Sequence, residues 1–272
     1  MELGGSKSSR TSVVLLDWFE RDRRVFVSGI HPQVQGREGA TGDDRLLALL
    51  NGESLIRIGV NAPLTLPPCV TCALPACPTV KFCEVPEVEW MRKEARRLRI
   101  PKAKHPTPYT QRPVDLALRG VIARRVGAEA MADETLGANR APLAARMLYL
   151  RRHLKCSDLL ECNPRVSVAG LGQRVGFSAR SLRRYRDVED GALHRLEFLE
   201  RLAEEASLFF YKADLVALAR DLGAFDALMA ALMALHRELN LLDAPLFPES
   251  WGNVAVPGAA RSVRAVREGF LS

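Results

Sequence analysis

The sequence predicts an α/β protein, and three features of its pattern carry that prediction. Two β-branched, apolar runs, residues 12–18 (SVVLLDW) and 24–30 (RVFVSGI), flank a charged turn and read as an antiparallel hairpin. A helical period and then a nearly continuous apolar run at 55–60 (LIRIGV) follow, so the order is strand, strand, helix, strand. Helical periods at 165–172, 190–206 and 212–240 supply the second component.

The boundaries have local causes. Thr41-Gly42-Asp43-Asp44 offers N-cap chemistry to the first helix, and Asn51-Gly52 ends it. Pro63 and Pro67 stop the strand at 55–60. Residues 62–86, rich in Pro and Cys, carry no period and read as a loop. A helix from Val85 to Arg99 and the Pro-punctuated stretch PKAKHPTPYTQRP lead into further helices through about residue 154. The chain thus reads as one domain, 1–272, in which 62–154 is a cysteine knuckle plus a basic helical insertion. Asp158–Cys162 (DLLEC) is a short buried strand stopped by Asn163-Pro164. The helix at 212–240 is expected to break near Gly223, and Trp251–Val256 to form a closing edge strand.

The formal charge of +7 and pI near 9.3 suit a polyanionic partner, although an excess of this size also occurs in proteins that bind nothing acidic. No apolar run is long enough to span a bilayer, and MELGGSKSSR has no secretory apolar stretch, so a cytoplasmic protein is expected. In that compartment the cysteines read as reduced thiols rather than disulfides. Four of the six fall in Cys69-x2-Cys72-x4-Cys77-x5-Cys83. Thiolates on so tight a loop suit tetrahedral Zn2+, or a 4Fe-4S cluster; the other reading is free cysteines. Cys156 and Cys162 read as core residues.

Three acids stand where a divalent cation could be held. Glu2 precedes a Gly-Gly turn, Glu161 ends DLLEC, and Asp226 is the single carboxylate in AFDALMAALMAL. A charge on an apolar helix face is costly unless paired or metal-bound, which makes Asp226 the most informative acid. Each has a plainer reading: a solvated terminal residue for Glu2, an ion pair with a buried Arg for Glu161, a helix cap for Asp226. Asp43 and Asp44 read as capping residues. From Arg92 to Arg125 eleven basic residues face only Glu94 and Asp115, and Arg180, Arg183, Arg184 and Arg186 surround Tyr185. These are either phosphate-tracking surfaces or solvated faces.

The segments ELGGSK (2–7), RIGVNAPLTLPPC (57–69), PTPYTQRPVD (106–115), LECNPRVSVAGLG (160–172) and AFDALMAALMAL (224–235) resemble, over nearly the whole chain, the predicted nucleases of domain of unknown function 429. The resemblance implies a ribonuclease-H-like mixed sheet with flanking helices. It places Glu2, Asn61, Glu161 and Asp226 around Mg2+ or Mn2+, with Tyr109, Gln111 and Arg112 positioning a phosphate. Asn61 stands where similar proteins usually carry Asp; it keeps a carbonyl oxygen and removes one negative charge. The chain also opens where the first strand of such a sheet should be ending. The expectation is a truncated first strand, with Met1 internal to it. The implied function is metal-dependent hydrolysis of nucleic-acid phosphodiesters; the alternative is a catalytically weakened nucleic-acid-binding protein on the same fold.

Overall fold

The computed structural model describes residues 1–5, 10–98, 105–126, 134–137 and 140–258, with only the backbone of Arg125. Arg99, Lys102 and Lys104 of the basic segment, and Ser6 and Lys7 of the first motif, lie outside the described residues. The predicted hairpin forms from β1 (Val13–Phe19) and β2 (Arg24–His31), antiparallel, with a register irregularity between Leu15 and Leu16. Helix α1 (Gly42–Gly52) opens on a capping box: Asp44 N donates to Thr41 Oγ1 (3.1 Å), and Thr41 N donates to Asp44 Oδ2 (2.8 Å).

The third strand, β3 (Ile58–Val60), is shorter than the apolar run that predicted it. Its partner β4 (Leu159–Glu161) runs parallel, with Ile58 opposite Leu159 and Val60 opposite Glu161. Leu55, Ile56 and Arg57 have no strand beside them, so hydrophobicity alone does not extend the strand to them. A two-residue strand, β5 (Leu208–Phe209), pairs parallel with β2 and is too short to leave a period in the sequence.

Between the β1–β2–β5 group and the β3–β4 pair lie residues 1–3, which join them. Glu2 and Ser12 exchange both backbone hydrogen bonds (2.9 Å each). Met1 N donates to the Gly59 carbonyl (2.7 Å), and Asn61 N donates to the Met1 carbonyl (3.0 Å). Residues 1–3 therefore bridge the sheet β5–β2–β1 and the pair β3–β4, running antiparallel to β1 and parallel to β3.

Ten further helices follow α1 among the described residues. They are α2 (Thr79–Phe82), α3 (Pro86–Arg97), α4 (Pro113–Arg119), α5 (Val121–Val126), α6 (Ala141–Leu150), α7 (Pro164–Arg174), α8 (Ala179–Arg184), α9 (Gly191–Glu205), α10 (Lys212–Arg220) and α11 (Leu222–Glu238). The expected break near Gly223 falls at Asp221, which ends α10 and caps α11 by accepting from Ala224 N (2.8 Å). The expected edge strand at Trp251–Val256 is not formed. A 3-10 turn at Glu249–Trp251 runs into Gly252 at φ 81°, and Asn253 Nδ2 donates back to the Phe247 carbonyl, which together curl the chain away from an extended path.

Alternation along the strands sets the layers. Val13, with Met1, Leu3, Ile58 and Val60, enters a cluster with Leu46 and Leu50 of α1 and Met147 and Leu150 of α6. Val14 enters the opposite cluster, built on Phe198 and Leu199 of α9, Leu171 of α7 and Phe225 and Leu228 of α11. Each of these large buried side chains stabilises the fold by roughly 1.5–3 kcal/mol. Helix α11 crosses β3 so closely that a Cβ on Gly59 would lie 2.0 Å from the Ala230 carbonyl oxygen; only glycine fits there. No helix among the described residues is long and apolar enough to cross a membrane.

Candidate active site

Strand parity brings three of the four expected catalytic residues together. Met1 and Leu3 point to the α1/α6 cluster, so Glu2 points to the α11 face. Val60 belongs to the α1/α6 cluster, so the next residue, Asn61, also turns toward α11. Asp226 reaches the same spot from the first turns of α11 and is fully buried there. Its helix-cap reading is excluded, because Asp221 is the cap.

Asn61 Nδ2 donates to Glu2 Oε2 at 2.7 Å. Asn61 Oδ1 and Asp226 Oδ1 are buried without a hydrogen-bond partner. An unmet buried acceptor is costly, and two acceptor oxygens left open beside a carboxylate fit the donor set of a hard divalent cation. Burial, and next the Asp226 carboxylate, push Glu2 from its ordinary 4.5 up to about 8, against the pull of Asn61 and Arg186. Burial also raises Asp226, opposed chiefly by Arg186. Two carboxyl groups in one dry spot do not both ionise readily, so at neutral pH the pair keeps a proton on Glu2.

The charge present comes from Arg186, just beyond α8, whose Nη1 lies 2.8 Å from Asp226 Oδ2. Its side chain is 32% exposed against 2% for Asp226, so it spans from the buried acid to solvent. The guanidinium sits over the Tyr185 ring, 5.6 Å from its centroid, which fixes its direction. Burial and then Asp226 push the Tyr185 hydroxyl up to about 12. Arg195, and after it Arg165, exposed at the start of α7, add further positive charge felt by Asp226. The sequence gives Arg165 no distinguishing signal: it is one exposed Arg after Asn163-Pro164, and only the approach of α7 to α11 makes it relevant.

Glu161, the fourth expected ligand, is elsewhere. It opposes Val60, and in a parallel pair residues in register share a face, so its carboxylate leaves on the side away from α11. There Arg112 Nη1 donates to Oε2 (2.8 Å) and Nη2 to Oε1 (2.6 Å), while Leu64 N donates to Oε2 (2.9 Å). The ion-pair reading of Glu161 therefore describes its contacts. Arg112, expected at a phosphate, is 2% exposed and directed inward: Nη2 also reaches Asp115 (3.0 Å) and Nη1 reaches Thr65 Oγ1 (2.9 Å). Gln111 is likewise turned inward, with Nε2 on Glu134 (2.9 Å) and Oε1 accepting from Thr107 N (3.0 Å). Tyr109 alone of that expected trio is exposed. The motif that carries them ties residues 107–115 to Glu134 and Thr135 and to the end of β4.

Cys69 and Cys83 are partly and fully buried, Cys72 and Cys77 exposed, and all four are free thiols. Burial raises the Cys69 thiol, with smaller contributions from Cys83, Cys72 and Cys77. The four therefore share one neighbourhood, but no group of three or more His, Cys, Asp or Glu is gathered at ligating range among the described residues. The loop is held from outside, by Cys69 N donating to the Pro108 carbonyl (3.0 Å) and Arg92 Nη1 donating to the carbonyls of Val80 (2.9 Å) and Lys81 (2.6 Å). Comparison with protein-family models, with curated proteins and with solved structures gives no match.

Proposed function

We propose that this chain is a metal-dependent nuclease on a ribonuclease-H-like sheet, related to the family its motifs resemble. The observation that carries the reading is the shared buried spot of Glu2, Asn61 and Asp226, drawn from three separate segments of the chain, with two oxygens left open. A sheet whose central segment is antiparallel to one neighbour and parallel to the other, covered by helices on both faces, supports the fold assignment. Glu2, Asn61 Oδ1 and Asp226 Oδ1 would hold Mg2+ or Mn2+. Such an ion supplies Lewis acidity toward a phosphodiester. Arg186 and Arg165, at the solvent side of Asp226, would neutralise the phosphate and orient it. Glu161 and Arg112, on the opposite face of the sheet, brace the end of β4 and do not enter the site.

The second reading, a weakened nucleic-acid-binding protein, draws on one contact. Arg186 on Asp226 and the Asn61 amide on Glu2 already compensate both acids, so the spot is tolerable without an ion. Mn2+-dependent cleavage of single- and double-stranded DNA and RNA separates the two. The nuclease reading expects cleavage that Asp226→Ala abolishes and Asn61→Asp increases. Salt-sensitive binding with no cleavage by either the native chain or Asn61→Asp would leave the binding reading.

We also propose Zn2+, or alternatively a 4Fe-4S cluster, at Cys69, Cys72, Cys77 and Cys83. Residues 70–82 are almost entirely exposed, and a surface loop of that length without a core of its own gains most from a metal staple. Elemental analysis with thiol titration is decisive: one zinc or four irons per chain, with the exposed Cys72 and Cys77 reacting only after chelation, against no metal and both reacting from the outset for free cysteines.

A further inference from the structure

The sheet has a gap at its centre. Residues 1–3 occupy only one end of the space between β1 and β3, and beyond Met1 a cavity of about 460 Å³ continues between the two strands. Val13 to Phe19 line one wall and Ile56 to Gly59 the other. Ala231, Ala234, Leu235 and Glu238 of α11 line one side and Leu50, Glu53, Ser54 and Leu55 the other, so the space is mainly apolar with polar groups among its lining.

The walls carry strand-pairing groups. Ser12 turns both its N–H and its C=O to Glu2, so by alternation Val14, Leu16 and Trp18 turn theirs the same way, into the gap. On the other wall Ile58 N is used on Asp158 and Val60 O on Cys162 N, both in the β4 direction. Gly59 and Arg57 therefore face the gap, as the acceptance of Met1 N by the Gly59 carbonyl already shows. Two half-ladders, one antiparallel and one parallel, stand open across a mainly apolar slot. Backbone groups in such a place go unsatisfied unless a strand lies between them.

We infer that the slot takes an extended, mainly apolar strand of about five residues, the length at which it would reach Trp18, and that this strand enters Met1 from its amino side. The intrachain occupant is favoured by continuity. Met1 N already stands in the ladder at 2.7 Å from Gly59 O, pointing along the slot, so a residue joined to it steps directly between Val14 and Gly59. A strand from another chain would have to end against Met1 and would lack that tether. The occupied slot fixes Glu2 in register between β1 and β3, and with it the acid facing Asp226. The inference rests on backbone pairing and stands whether or not the site is a nuclease.

The test is made on protein isolated from cells that carry the gene in its native setting. Intact mass and N-terminal peptide mapping are combined with amide hydrogen exchange over residues 12–19. A mass above 30.1 kDa is expected, with peptides that run through Met1 from upstream residues and exchange at Val14, Leu16 and Trp18 at least about 100-fold slower than in the 272-residue chain. A native chain that begins at Met1 overturns the inference, and if its slot amides are nonetheless protected, the occupant is a partner strand. Upstream residues that leave those amides as open as in the 272-residue chain overturn it equally.

Discussion

Replacing Glu2 by Gln should remove a pH dependence that the site builds into folding. In the native fold Glu2 holds its proton up to about 8, whereas the unfolded chain releases it near 4.5. Between those values the folded state binds a proton that the unfolded state has lost, so stability falls as pH rises, and it levels off above 8. The full excursion is on the order of 5 kcal/mol. Gln keeps the shape and an acceptor for the Asn61 amide but cannot ionise. Glu2→Gln should match the native chain at pH 4.5 and exceed it by several kcal/mol at pH 8. Urea unfolding at half-unit steps from pH 4.5 to 9 reads this directly. Parallel stability curves for the two proteins would refute the buried-pair argument, because a solvated Glu2 gives no such limb. Millimolar Mn2+ provides the complementary sign: an ion that needs the carboxylate ionised should stabilise the native chain at pH 8 and barely at pH 5.

Arg112→Met should cost about 3–5 kcal/mol in urea unfolding, since it leaves Glu161 and Asp115 buried without their cation. Gly59→Ala should lower the melting temperature severely or prevent folding, because the new methyl meets the Ala230 carbonyl oxygen in the middle of α11. Asp221→Ala removes the α11 cap and should cost about 1 kcal/mol. His236 is buried, and desolvation lowers it to about 3; the unfolded chain takes up a proton near 6.5, so this group's contribution is lost as pH falls from 6.5 toward 3. His236→Gln should flatten that acid limb in the same titration series, and an unchanged limb would mean that the ring is solvated.

The hairpin, α1 with its capping box, the short β4 and the paired late helices were legible in the sequence because each rests on local pattern: β-branched runs, Thr41 with Asp44, Asn163-Pro164, a 3.6-residue period. β5 was not legible, since two residues make no period. The edge strand at 251–256 misled because apolar content says nothing about φ at Gly252 or the side-chain bonds of Asn253. Among the site residues, Asp226 stood out as a charge in an apolar helix, and burial bears out that it needed a partner. Glu161 looked equivalent to it, being an acid at a strand end, yet sequence carries no sign of which face a residue takes until the register of the neighbouring strand is known.

By itself, then, the sequence determined most of the larger elements, their order and the short set of acids from which a site could be drawn. Tertiary structure alone decided which of those acids meet. Residues 1–3 slot between β1 and β3 in a register that sends Glu2 and Asn61 to the α11 face and Glu161 to the other, where Arg112 closes on it. Side chains alternate with a period of two, so one step of register moves a carboxylate across the whole thickness of the sheet. Register is set by long-range pairing and by the layers packed on both faces, and no local stretch of sequence contains it.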